Sequence, residues 1–157
     1  MEMTAALPGI KASLQLIHVD RCIMTSELEE ALIHAIVGLI IAIKSSDEQC
    51  VSAGFQRLGD LFLITDKDYA SAISCYQASL DLITYIGVRR HIADCLLRLG
   101  VVLLLEGRVT EARRKLTASR RFYAAAEDPQ GYQYCEAILE ECSIDGPKAC
   151  IVFISVA

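Results

Sequence analysis

The chain has 157 residues, 54% of them hydrophobic and 22% charged, with a formal net charge of −5 at pH 7. That is enough apolar material for the core of one ordinary domain and too much for a disordered chain. The acidic balance argues against a protein that works by gripping nucleic-acid phosphates. Only 6% of the residues are aromatic and none is tryptophan, so the excess is Leu, Ile, Val and Ala, a mixture suited to helices packed on helices.

After an N-terminal extension (1–9), apolar residues at three- and four-residue spacing predict helices near 10–23, 27–44, 47–64, 68–86, 88–106, 109–126 and 129–142. No strand pattern interrupts them, and no proline falls between Pro8 and Pro129. Ser26-Glu27-Leu28-Glu29 and Ser46-Asp47-Glu48-Gln49 fit capping boxes, in which a serine oxygen takes an orphan amide at a helix start. Asp128-Pro129 fits an N-cap followed by the first helical position. Gly87 and Gly107 stand where helices should stop, as left-handed C′ residues. The C-terminal stretch 143–157 opens with a turn and ends in nine uncharged apolar or small residues, Ala149 to Ala157. It could pack on the last helix, pair with another chain or stay loose.

Seven cysteines without a C-x-x-C pair read as small buried hydrophobes, not as a zinc site or disulfide framework. There is no basic n-region with an apolar run after it, so no secretory signal is expected. The longest apolar stretches, Leu32 to Ile43 and Leu96 to Leu105, are too short to span a bilayer. A reducing setting, cytoplasmic or nuclear, and no membrane association are expected.

Self-similarity organises the chain. Phe55-Gln56-Arg57-Leu58-Gly59-Asp60 returns as Leu96-Leu97-Arg98-Leu99-Gly100-Val101, an offset of 41 residues (59 to 100). Ala31, Ala72 and Ala112 follow the same rhythm, and seven residues beyond each stands another small residue, Gly38, Ser79 and Ser119. Small residues at a fixed place in successive helices mean that backbones approach closely there. The expected fold is all-α: antiparallel hairpins stacked as a helical solenoid.

At Leu58-Gly59, Phe62, Ala72, Tyr76 and Ser79, and again at Leu99-Gly100, Leu103, Ala112, Leu116 and Ser119, the chain resembles the tetratricopeptide repeat (TPR). The period of 40 to 41, longer than the common ~34, looks like the long-helix variety. Tyr85-Ile86-Gly87 and Ala93-Asp94-Cys95 look most like arrays on fungal NACHT- and NB-ARC-type proteins. The likeness spans about residues 12 to 142 and is weakest in the first helix, where His18 stands for the repeat glycine and Arg21 for a large apolar residue. It implies three TPR-like hairpins and a terminal helix, an α-α superhelix whose packing rests on Ala31, Gly38, Leu58, Gly59, Ala72, Ser79, Leu99, Gly100, Ala112 and Ser119.

The resemblance further implies a non-catalytic scaffold that binds a protein or peptide along the concave row of first helices. Carried over, the groove positions are Gln56, Asp60, Leu63 and Ile64 in the second repeat and Asp94, Leu97, Val101 and Leu104 in the third. In the first repeat they would be Ala12, Gln15, Val19, Cys22 and Ile23. The Lys, Asn and Arg clamp for a C-terminal carboxylate is missing, which excludes an Hsp70 or Hsp90 tail as partner. An apolar groove with Asp60 and Asp94 would suit an amphipathic helix and select against acidic partners. Against this, Cys95 to Leu105 is apolar nearly all round, which fits burial against neighbouring helices instead. Alternatives are a structural or regulatory array that docks on another domain or self-associates as a homo-oligomer through the tail, and a small-molecule or lipid sensor.

Arg108, Arg113, Arg114, Lys115, Arg120 and Arg121 crowd the sixth helix, and Arg113 with Arg120 and Arg114 with Arg121 are seven apart. They form a stripe for an acidic partner or RNA or, more simply, a solvated outer face partly neutralised by Glu136, Glu140 and Glu141. His18, His34 and His91 are isolated, and no metalloprotease, hydrolase or phosphate-loop motif occurs. His34 reads as a partly buried core residue. No enzyme, cofactor or metal is therefore expected.

Overall fold

The computed structural model describes residues 3–144, with side chains from 8 to 142. Among them the chain is all-helical: α1 (Met3–Met24), α2 (Leu28–Lys44), α3 (Glu48–Thr65), α4 (Tyr69–Ile86), α5 (Arg89–Leu105), α6 (Val109–Ala125) and α7 (Pro129–Ile144). Six helices lie within two residues of their predicted bounds. The first starts earlier, at Met3, with Pro8 inside it. Near a helix start the missing Pro8 N–H deprives only one carbonyl, that of Thr4, so the helix tolerates it. The segment predicted as an apolar tail, Ala149 to Ala157, lies outside the described residues.

Each of the six links between helices holds one residue in the left-handed region: Ser26, Ser46, Lys67, Gly87, Gly107 and Glu127, with φ from 52° to 83°. At Ser26, Ser46, Gly107 and Glu127 the chain closes in the Schellman manner, as where the Glu27 N–H donates to the Cys22 carbonyl (2.8 Å) and the Arg108 N–H to that of Leu103 (2.8 Å). Gly87 and Gly107 therefore act as expected. Ser26 and Ser46 do not cap the following helices. They end the preceding ones, and the N-caps are Glu27, whose side chain accepts from the Thr25 hydroxyl and from no helix amide, and Asp47, which accepts the Cys50 N–H at 3.0 Å. Asp68 and Asp128 cap likewise, accepting from Ser71 and Gly131 at 3.0 Å each.

The chain resolves into two compact units, Met1–Ile86 and Gly87–Ala157. In the first, α1 packs on α2 and α3 on α4, and α3 lies against α2 and the edge of α1. Val19, Cys22, Ala31, Ala35 and Leu61 form a buried cluster there, with Leu58 packed against it. An ion pair from Arg57 to Asp20, with the Arg57 Nη2–H donating to Asp20 Oδ2 at 3.0 Å, ties α3 to α1. In the second unit α6 packs on both α5 and α7, and α5 is buried around most of its circumference.

The repeat register is visible in the packing. Ala31, Ala72 and Ala112 are fully buried, as are Ser79 and Ser119, and Gly38 is buried too. Ser79 meets the Ser52 hydroxyl at 2.7 Å, and the Ser119 hydroxyl donates to the Ala93 carbonyl at 2.7 Å. Ser52 and Ala93 are themselves 41 apart. A Cβ added at Gly59 would sit 2.5 Å from the Tyr76 ring, and one at Gly100 2.6 Å from Leu116. The two glycines are thus seats for the large side chain of the second helix in their hairpins. Leu99 is buried beside Gly100.

Candidate functional site

The groove positions divide between the two units and do not behave as one row of open contacts. Gln56 and Leu104 are buried, at 8% and 1% exposure, so neither is available to a partner. Leu97 packs against the cluster of Ala93, Tyr123 and Cys135. Leu63 and Val101 are half-buried, and only Ile64 is well exposed. In the first repeat Ala12, Val19 and Cys22 are fully buried. Such positions face inward because each first helix must also cover its hairpin partner.

The two aspartates expected to select partners have internal work. The buried Tyr76 donates its hydroxyl to Asp60 at 2.6 Å, and Arg57 stands 3.7 Å from the same carboxylate. Tyr123, also buried, donates to Asp94. A buried tyrosine needs a partner for its hydroxyl, and an aspartate one helix away supplies it. Burial and the neighbouring Asp94 carboxylate push the Tyr123 hydroxyl pKa well above the ordinary range.

The accessible apolar surface lies elsewhere. On α2, Leu32, Ile33, Ile36, Val37, Ile40 and Ile43 are 39% to 59% exposed. On α1, Ile10, Leu14 and Ile17 are exposed too and line an open cleft with Gly9, Ser13, Ser45 and Asp47. The inner face of α2 is made of Ala31, Ala35, Gly38 and Ala42, so the large aliphatic side chains have been placed outside. The repeat register, 41 residues and then 40, makes the contrast plain. Ile33, Ile36 and Ile40 correspond to Ser74, Gln77 and Asp81 on α4, and these to Arg114, Thr117 and Arg121 on α6. Along the sequence Leu32 to Ile43 reads as a hydrophobic run too short for a bilayer; only comparison of equivalent positions singles out its outer face.

Of the other candidates, Arg113, Arg114 and Arg121 line an open depression with Thr117 and Ala118. Arg108 is paired with Glu106 and Glu111, and Arg120 reaches Glu136 at 3.4 Å and lies over the Tyr132 ring. The stripe is therefore partly neutralised, as a solvated face would be. His18 and His34 stack with ring centroids 5.1 Å apart, and His34 Nδ1 lies 2.6 Å from Gln15 Oε1. His34 is half-buried, in keeping with a core position. Cys22 Sγ and carboxylate oxygens of Glu27 and Glu30 lie within 4.8 Å of one another, though both glutamates are exposed. Cys22, Cys95, Cys135 and Cys142 are buried, Cys50 and Cys75 half-buried, and all six are free thiols; Cys150 lies outside the described residues. Burial raises the Cys50, Cys75 and Cys135 pKa values, the reverse of what a reactive thiolate needs.

No helix among the described residues is long and apolar enough to cross a membrane. No family model matches this chain, and no curated protein is matched by it.

Proposed function

We propose that the chain is a non-catalytic helical-repeat interaction module of the tetratricopeptide kind, and that it binds a protein partner through the outer face of α2, not through the row of first helices. The observation that carries this reading is the aliphatic row from Leu32 to Ile43, about half exposed, in which Ile33, Ile36 and Ile40 stand where the next two hairpins carry Ser, Gln and Asp and then Arg, Thr and Arg. An apolar patch of this kind on a folded domain marks a contact surface. The register of 40 to 41 residues and the small residues at the helix crossings support the kinship with TPR scaffolds. The free thiols suit a reducing compartment such as the cytoplasm or nucleus.

The test compares affinity capture by the intact chain with capture by the double variant Ile33→Ser, Ile40→Ser, whose helix content is checked by circular dichroism. Loss of the proteins that bind the natural chain, with the fold intact, is the expected result. Retention of the same proteins would contradict the assignment of α2 as the binding face.

A further inference from the structure

We infer that the occupant of the α2 face is a second copy of this chain, paired antiparallel, α2 against α2, about a twofold axis. The inference rests on the reading of α2 as the interaction face and names its partner. Glu29, Ile33, Ile36, Ile40 and Ile43 follow one another at intervals of four, three, four and three, the spacing of a seam between two helices packed at a small angle. In an antiparallel pair centred between Ile36 and Val37, Ile33 meets Ile40 of the second copy and Ile36 meets its Val37. Glu29 then meets Lys44 at the other end.

Charge selects this arrangement. The row is bounded by Glu29 and Glu30 at its start and by Lys44 at its end, all exposed, and none of the three is in an ion pair among the described residues. A parallel pair would set acid against acid and lysine against lysine, whereas the antiparallel pair joins opposite charges at both ends. The same acids, with a net charge of −5, disfavour an anionic bilayer as the cover. The area is of the right order. Six half-exposed aliphatic side chains leave an apolar patch of roughly 500 Å², large for a monomer. A twofold doubles it to about 1,000 Å², where specific interfaces begin.

The experiment measures the mass of the intact chain by light scattering and sedimentation over about a hundredfold range of concentration. The natural chain should reach twice its 17.2 kDa, and Ile36→Lys should stay at the single mass with an unchanged circular dichroism spectrum. The pair Glu29→Lys, Glu30→Lys should weaken the dimer by about tenfold, and adding Lys44→Glu should recover it. A natural chain that stays monomeric overturns the inference, as does an Ile36→Lys chain that still doubles, since another surface is then responsible. So does a monomeric chain that floats with neutral phosphatidylcholine vesicles. If the chain is monomeric yet loses a captured protein in the Ile33→Ser, Ile40→Ser variant, the second copy falls and the interaction face stands; if neither is seen, both fall.

Discussion

Helices α2 and α6 hold the same place in their hairpins and present opposite chemistry. Inside, α6 offers Ala112, Leu116, Ser119 and Tyr123 to its neighbours, while α2 offers only Ala31, Ala35, Gly38 and Ala42. Outside, α6 carries Arg113, Arg114 and Arg121, and α2 carries isoleucines. The volume missing inside α2 is partly supplied from α1. By the repeat offset His18 replaces Gly59 and Gly100, and Ala35 replaces Tyr76 and Leu116, so the large side chain has moved from the second helix to the first. The lesson is that an inner face answers to its hairpin partner, whereas an outer face answers to whatever lies beyond the chain. Function is therefore sought where equivalent outer faces differ.

The comparison can be broken most severely from inside. Leu116 is fully buried on its Gly100 seat, so Leu116→Ala should cost about 2–5 kcal/mol in a urea melt. The equivalent of Leu116 on α2 is already alanine. Tyr123→Phe leaves the Asp94 carboxylate without its donor and should cost about 1–3 kcal/mol by the same measurement. That tyrosine also sets an alkaline limit. Its pKa is raised in the fold, so its contribution is complete below about pH 10 and declines as pH rises beyond that value. A stability profile from neutral to strongly alkaline pH should bend there, and the bend should vanish in Tyr123→Phe. At the other extreme, the Asp68 carboxyl is held below the ordinary range by the Ser71 hydroxyl and then by the Ser71 N–H. Its cap is intact above about pH 4 and is lost as pH falls through the lower folded value.

Smaller effects sharpen the contrast. Lys67 sits at φ 52°, where glycine carries no Cβ penalty, so Lys67→Gly should raise the stability of the first unit by about 1 kcal/mol. Outer-face changes should be smallest for the fold itself. Arg114→Ala on α6 and Ile36→Ser on α2 should each shift monomer stability by less than about 0.5 kcal/mol. Their difference should appear in association, which only the α2 change reduces.

The helices were legible because their signals are local. The repeat register placed Ala31, Ala72 and Ala112 on inner faces, and glycines marked two of the six turns. The serines misled because a short hydroxyl side chain fits both an N-cap and a left-handed C′, and Ser26 and Ser46 stand one residue before the caps. The buried state of Gln56 and Leu104, and the tyrosine bonds of Asp60 and Asp94, depend on which side chain reaches across from another helix. Spacing along one helix does not carry that information. The α2 face was written in the sequence, but as a difference between equivalent positions, hidden while Leu32 to Ile43 was weighed only for its hydropathy.

The most direct test of α2 as the surface between two copies of the chain is backbone hydrogen exchange of the intact chain at two concentrations about a hundredfold apart. Association stabilises the elements it involves by mass action. Slower exchange at high concentration across Leu28–Lys44, with Val109–Ala125 unchanged, is the expected result. Exchange in α2 that does not respond to concentration, or that slows no more than exchange in α6, would contradict it.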